Sequence, residues 1–113
     1  MVITTEKISE VLVIRLDGRL DAMTSGEFEK KVTPMVQESG QHVLIDFGKV
    51  DYISSAGLRA ILILAKEMLK KEKRLALCSL NETIAEVFCI SGFDSIMTIY
   101  PSLEEGLSFL KGN

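Results

Sequence analysis

A chain of 113 residues and 12.5 kDa, 47% hydrophobic and 26% charged, has the length and make-up of one folded domain. It offers enough apolar surface to offset the entropy of ordering, so a disordered chain is excluded. Thirteen basic against sixteen acidic residues leave a net charge of −3, which argues against nucleic-acid binding, where affinity rests on neutralising phosphates.

In chain order, Val2 to Leu20 reads as two strands. Val11 to Leu16 is apolar and β-branched, Ser9-Glu10 before it suits a tight turn, and Gly18 is expected to end the run. From Thr24 to Ser39 the period becomes helical, with Phe28, Val32, Met35 and Val36 recurring on one side. Thr24 and Glu27 fit a capping box, Pro34 should kink or break the helix, and Gly40 ends it.

Val43 to Phe47 after His42 has the apolar continuity of a central strand buried on both faces. Gly48 to Ile53 reads as a connection. Ser55 to Lys71 carries the strongest helical pattern, with Leu58, Ile61, Leu62, Ala65, Met68 and Leu69 as its apolar stripe. Leu75 to Cys78 is a short strand. Asn81 can cap a helix holding Ile84, Val87 and Phe88, with Gly92 as its stop. Phe88 and Phe93 are expected in the core. Ile96 to Tyr100 is a last strand, and Ser102 with Glu105 opens a final helix.

This alternation predicts a single α/β domain over residues 1–113. The expected architecture is a mixed, mostly parallel sheet of about four or five strands with about four helices, and an antiparallel hairpin at one side.

The longest wholly apolar run, Ala60 to Ala65, is far short of the about 18 residues a membrane span needs. The N-terminal MVITTEKISE lacks the apolar region of a signal peptide. A cytoplasmic protein without membrane insertion is expected. Cys78 and Cys89 then read as free, buried thiols. One histidine, His42, and no CxxC pair speak against a metal site.

The segment Asp51-Tyr52-Ile53-Ser54-Ser55-Ala56-Gly57-Leu58-Arg59 stands between a buried strand and the strongest helix, where α/β sheets gather functional loops. Ser54 or Ser55 would be the N-cap. Ala56 and Gly57 leave the serines uncovered. Gly57 costs about 1 kcal/mol of helix propensity against alanine, so a small residue there answers to close packing or to function. Catalysis by a serine would need a base within reach. His42 lies at the far end of a strand that spans roughly 17–20 Å. No GxSxG elbow and no phosphate-cradling glycine loop is present, so the chain reads as a non-enzyme without a cofactor of its own. A phosphorylated serine is the functional alternative to a simple cap. Helix N-termini favour anions, and a phosphate adds about −1.5 to −2 charge. On the helix that follows, Arg59, Lys66 and Lys70 lie together, and Ile63 falls among these charges instead of in the stripe.

Leu16 to Asp21, Val43 to Phe47, Ile53 to Leu58 and the element order together resemble a stand-alone STAS domain of the bacterial anti-sigma factor antagonist family, over nearly the whole chain. That family's loop pattern, Asp-Ser-(Ser/Thr)-Gly-Leu, has its first serine phosphorylated by a partner kinase. Aligned on Gly57-Leu58, this position falls on Ser55. Ser54 replaces the usual aspartate and becomes a competing acceptor, and Ala56 replaces the second hydroxyl residue.

The resemblance implies a partner-switching protein that acts on transcription. Unphosphorylated, it would bind an anti-sigma factor that is also a serine kinase of the GHKL type, and so free a sigma factor. Phosphorylation would end binding, a phosphatase of the PP2C type would reset it, and ATP would belong to the partner. Asp21 and Asp46 match acidic positions of the family near the loop, serving either strand-end hydrogen bonding or the partner site. With Ser54, Ser55, Ala56, Gly57, Arg59 and Ile63 they make up the candidate partner surface. Two other readings share this surface without a sigma pathway: a STAS subunit of a sensory or ABC lipid-transport complex, and a nucleotide- or small-molecule-sensing module.

Overall fold

The computed structural model describes residues 1–111. Five strands form one sheet in the order of the chain: β1 (Val2–Ile8), β2 (Val11–Leu20), β3 (His42–Ile53), β4 (Leu75–Cys78) and β5 (Thr98–Tyr100). β1 and β2 pair antiparallel and the other neighbours pair parallel. Between and after the strands lie α1 (Ser25–Ser39), α2 (Ser55–Lys70), α3 (Glu82–Ile90), a 3-10 turn (Phe93–Ser95) and α4 (Leu103–Lys111). A single α/β domain with a mixed, mostly parallel sheet is what the alternation predicted.

The topology dictates which face each helix covers. Parallel crossovers are right-handed, and here the strands advance in one direction across the sheet, so α1, α2 and α3 must fall on the same side. Alternate strand residues confirm this. Leu12, Ile14, Leu16, Ile45, Phe47 and Leu77 join Phe28, Val32, Ile61, Met68, Ile84 and Phe88 in the larger core. Val11, Val13, Leu44, Ala76 and Cys78 point the other way and are covered by Leu103, Leu107 and Leu110 of α4. The Phe88 ring meets Phe47 edge-on at 6.2 Å, and half-buried Phe93 packs against Phe88.

Several local expectations change. Gly18 does not end β2. The strand passes through it with φ +124° and a bulge on either side, reaching Leu20. Gly48 to Ile53 is not a connection but the second half of β3, paired with β2 up to Leu20↔Ile53. Thr24 makes no side-chain cap. Its backbone is already helical, and its hydroxyl bonds the Arg19 carbonyl at 2.7 Å instead. Pro34 does not break α1, whose buried Phe28, Val32 and Val36 hold both halves on the sheet. Cys89 is exposed on α3, whereas Cys78 is buried and its thiol pKa is pushed up to about 11, chiefly by burial.

The stripe of α2 is also rotated from its expected phase. Gly57, Ala60, Ile61, Leu64, Ala65 and Met68 are buried, while Leu58 and Leu62 are half-buried and Leu69 is exposed. Small residues line the inner face because the helix lies close on the sheet. A Cβ on Gly57 would overlap the Leu20 carbonyl oxygen and crowd the Ile53 side chain. The caps of α3 and α4 are as expected, with Asn81 accepting from Ile84 N–H at 2.8 Å and Ser102 from Glu105 N–H at 3.2 Å.

Candidate functional site

β3 delivers the site. Past Asp46, where β4 ends its pairing at Cys78, β3 runs on beside β2 alone and hands over to α2 through Ser54. Ser54 is extended, with φ −99° and ψ 176°, as an N-cap must be. Its N–H donates to the Leu20 carbonyl at 3.0 Å, and its hydroxyl accepts from Gly57 N–H at 3.2 Å. Ser54 is therefore the cap. Ser55 is the first helical residue. It is exposed, and its hydroxyl has no hydrogen-bond partner among the described residues. The amides of Ser55 and Ala56, the first two of the helix, have no intrahelical acceptor.

Asp21 sits at the same end, in the turn between β2 and α1. Its carboxylate accepts from the N–H groups of Met23 at 3.0 Å and Thr24 at 3.2 Å, and lies 3.4 Å from Arg19 Nε. Burial alone would raise its pKa. The Met23 N–H bond, then Arg19 and Thr24, outweigh that and hold it below the usual carboxylate value. Asp21 thus shapes the turn beside the serines, and it leaves Met23 projecting into solvent at 92% exposure.

Asp46 is not brought to the serines. Strand alternation sends Leu44 to the α4 side and Ile45 to the other, so Asp46 faces the α4 side of the sheet, opposite α2. There its carboxylate accepts from Gly48 N–H at 2.8 Å and lies 3.8 Å from Arg15 Nε, while Nη1 of the same arginine bonds Glu6. These contacts lie in the middle of β3 and not at a strand end. Gly57 is buried and contributes close approach rather than surface. Ala56 is half-buried, Arg59 is exposed, and Ile63 is 46% exposed. Ser55, Arg59, Ile63, Lys66 and Lys70 all lie on the outward face of α2.

Two exposed residues at this end escaped the sequence reading as site members. Arg19 and Tyr52 are cross-strand partners, with the guanidinium 4.4 Å from the ring centroid. Their spacing in the chain carries no such signal. Only the shifted register of the β2–β3 pair joins them.

The one histidine is remote from the serines. His42 begins β3, at the opposite end of the strand, where its Nδ1 accepts from Arg74 N–H at 3.0 Å. Among the described residues, no cluster could hold a metal ion and no helix is long and apolar enough to cross a membrane.

The chain matches the STAS domain family over residues 2–106 and belongs to that family. It is 36% identical over 111 residues to BtrV of Bordetella bronchiseptica, a candidate anti-sigma factor antagonist by name, with 98% of this chain and 96% of that one covered. Among solved structures, a candidate anti-sigma factor antagonist of Thermotoga maritima superposes with a TM-score of 0.90 at 20% identity, covering 96% and 94% of the two chains. The Bacillus cell fate determinant SpoIIAA in its phosphorylated form gives 0.74 at 23% identity, covering 95% and 97%. At these identities the two structures speak for the fold alone.

Proposed function

We propose that this protein is a cytoplasmic anti-sigma factor antagonist, a binding module rather than an enzyme, switched by phosphorylation of Ser55. Unmodified, it engages an anti-sigma factor that is also a GHKL-type serine kinase, and so releases a sigma factor. The kinase transfers the γ-phosphoryl group of its own ATP to the Ser55 hydroxyl, whose proton leaves to the kinase, with ADP as the other product. A PP2C-type phosphatase hydrolyses the ester and restores binding.

The observation that carries this reading is the division of work between the two serines. Ser54 is engaged as the cap, so Ser55 is left exposed and unpartnered. A modification there costs the helix nothing, since negative charge at a helix N-terminus is favourable. The contact surface comprises Asp21, Ser54, Ser55, Ala56, Arg59 and Ile63. The names of the relatives support the antagonist role. Incubation with the cognate kinase and ATP should give one phosphate, on Ser55 by mass spectrometry, and none in Ser55→Ala. Phosphate on Ser54 alone, or on neither serine, would overturn the proposal.

A further inference from the structure

We infer that Arg59 is the intramolecular acceptor of the Ser55 phosphate, so that modification both adds negative charge and withdraws a cation from the partner surface. The inference rests on the phosphorylation proposed above and concerns what the phosphate does once present. Ser55 is the first residue of α2 and Arg59 stands four residues on, both exposed on the same face. That spacing brings Cβ atoms to about 5–6 Å, and an acidic group N-terminal to a basic one is the favourable orientation.

Arg59 has no ion-pair partner among the described residues, whereas Arg19 at the same end is already 3.4 Å from the Asp21 carboxylate and stacked on Tyr52. Lys70, further along the face, is 3.7 Å from Glu67. Arg59 is thus the uncommitted cation within reach. Its planar fork suits a phosphate's oxygens, and the amides of Ser55 and Ala56, which have no intrahelical acceptor, lie at the same helix end. In the unmodified protein Arg59 is available to an acidic group of a partner. In the modified protein it is occupied.

The test uses full-length protein phosphorylated on Ser55, by kinase or by direct incorporation of phosphoserine, so that a kinase failure cannot mask the result. The second ionisation of the phosphate is followed by phosphorus NMR in wild type, Arg59→Gln and Lys66→Gln. The phosphate of Arg59→Gln should titrate about 0.2–0.4 pH unit higher than that of wild type, a difference removed near 1 M salt. Lys66→Gln should match wild type. Equal values in wild type and Arg59→Gln would overturn the inference, as would a Lys66→Gln shift as large as that of Arg59→Gln. Absence of kinase-made phosphate on Ser55 would count against the proposed function alone.

Discussion

Gly57 rests directly on the carbonyl group of Leu20, the same oxygen that accepts the Ser54 N–H. One backbone atom of β2 therefore anchors both the cap of α2 and its first turn. The contact explains why a residue unfavourable to helices sits in the first turn of α2, the longest helix among the described residues.

Gly57→Ala should destabilise the protein by about 1–3 kcal/mol in urea unfolding, because a backbone oxygen cannot move aside as a flexible side chain can. Gly26→Ala in α1, where a methyl meets nothing within 4 Å, should be neutral or stabilise by up to about 1 kcal/mol. A stabilised Gly57→Ala would mean that α2 does not lie this close to β2.

The serines should separate in the same assay. Ser54→Ala removes the acceptor for Gly57 N–H and should cost about 0.5–2 kcal/mol. Ser55→Ala should stay within about 0.5 kcal/mol. Ser55→Asp should leave the melting temperature unchanged or slightly raised while weakening the kinase complex. The reverse order of Ser54 and Ser55 in stability would exchange their roles.

Ile63 lies on the outward face of α2 at 46% exposure, between Arg59 and Lys66. Ile63→Glu should leave stability within about 0.5 kcal/mol, yet weaken kinase binding through lost apolar contact and added charge. Ile63→Leu should weaken it much less. Undiminished affinity of the glutamate variant in calorimetry would move the partner off this face.

His42 gives a pH dependence of known sign. Burial, then the charges of Lys73 and Arg74, hold its pKa below the ordinary 6.5, and the neutral ring accepts from Arg74 N–H. The unfolded chain therefore takes up this proton first. The contribution is complete above about pH 6.5 and is lost as pH falls toward the folded value. Between about pH 7.5 and 5.5 the urea midpoint should fall more for wild type than for His42→Gln. Parallel slopes would show that His42 titrates alike in both states.

The element order was readable because each helix and strand has its own period, and the candidate serines because they fall at a strand-to-helix junction. What the pattern could not supply is tied to particular residues. In α2, leucines and isoleucines occur on several sides, so hydropathy permits two phases of the buried stripe. Packing chose the one that adds Gly57 and Ala60, residues that weigh little in any apolar count. In β3, Gly48 looked like a break, and the strand beyond it keeps no two-residue alternation: Val50 and Ile53 are buried, three apart, and Lys49, Asp51 and Tyr52 are exposed, beside the irregular register with β2. Asp46 interrupts an apolar run on the strand that leads to the serines. Which face it takes is decided by strand parity, which proximity in sequence does not convey.

The one-directional order of the sheet has a bearing on how the chain is made. Helices α1 to α3 cover their face as each crossover is completed, but the face formed by Val11, Val13, Leu44, Ala76 and Cys78 waits for α4, which follows every strand. During synthesis the growing polypeptide must hold that apolar surface bare until α4 has emerged. The interval is one in which a chaperone, or another nascent chain, can compete for it.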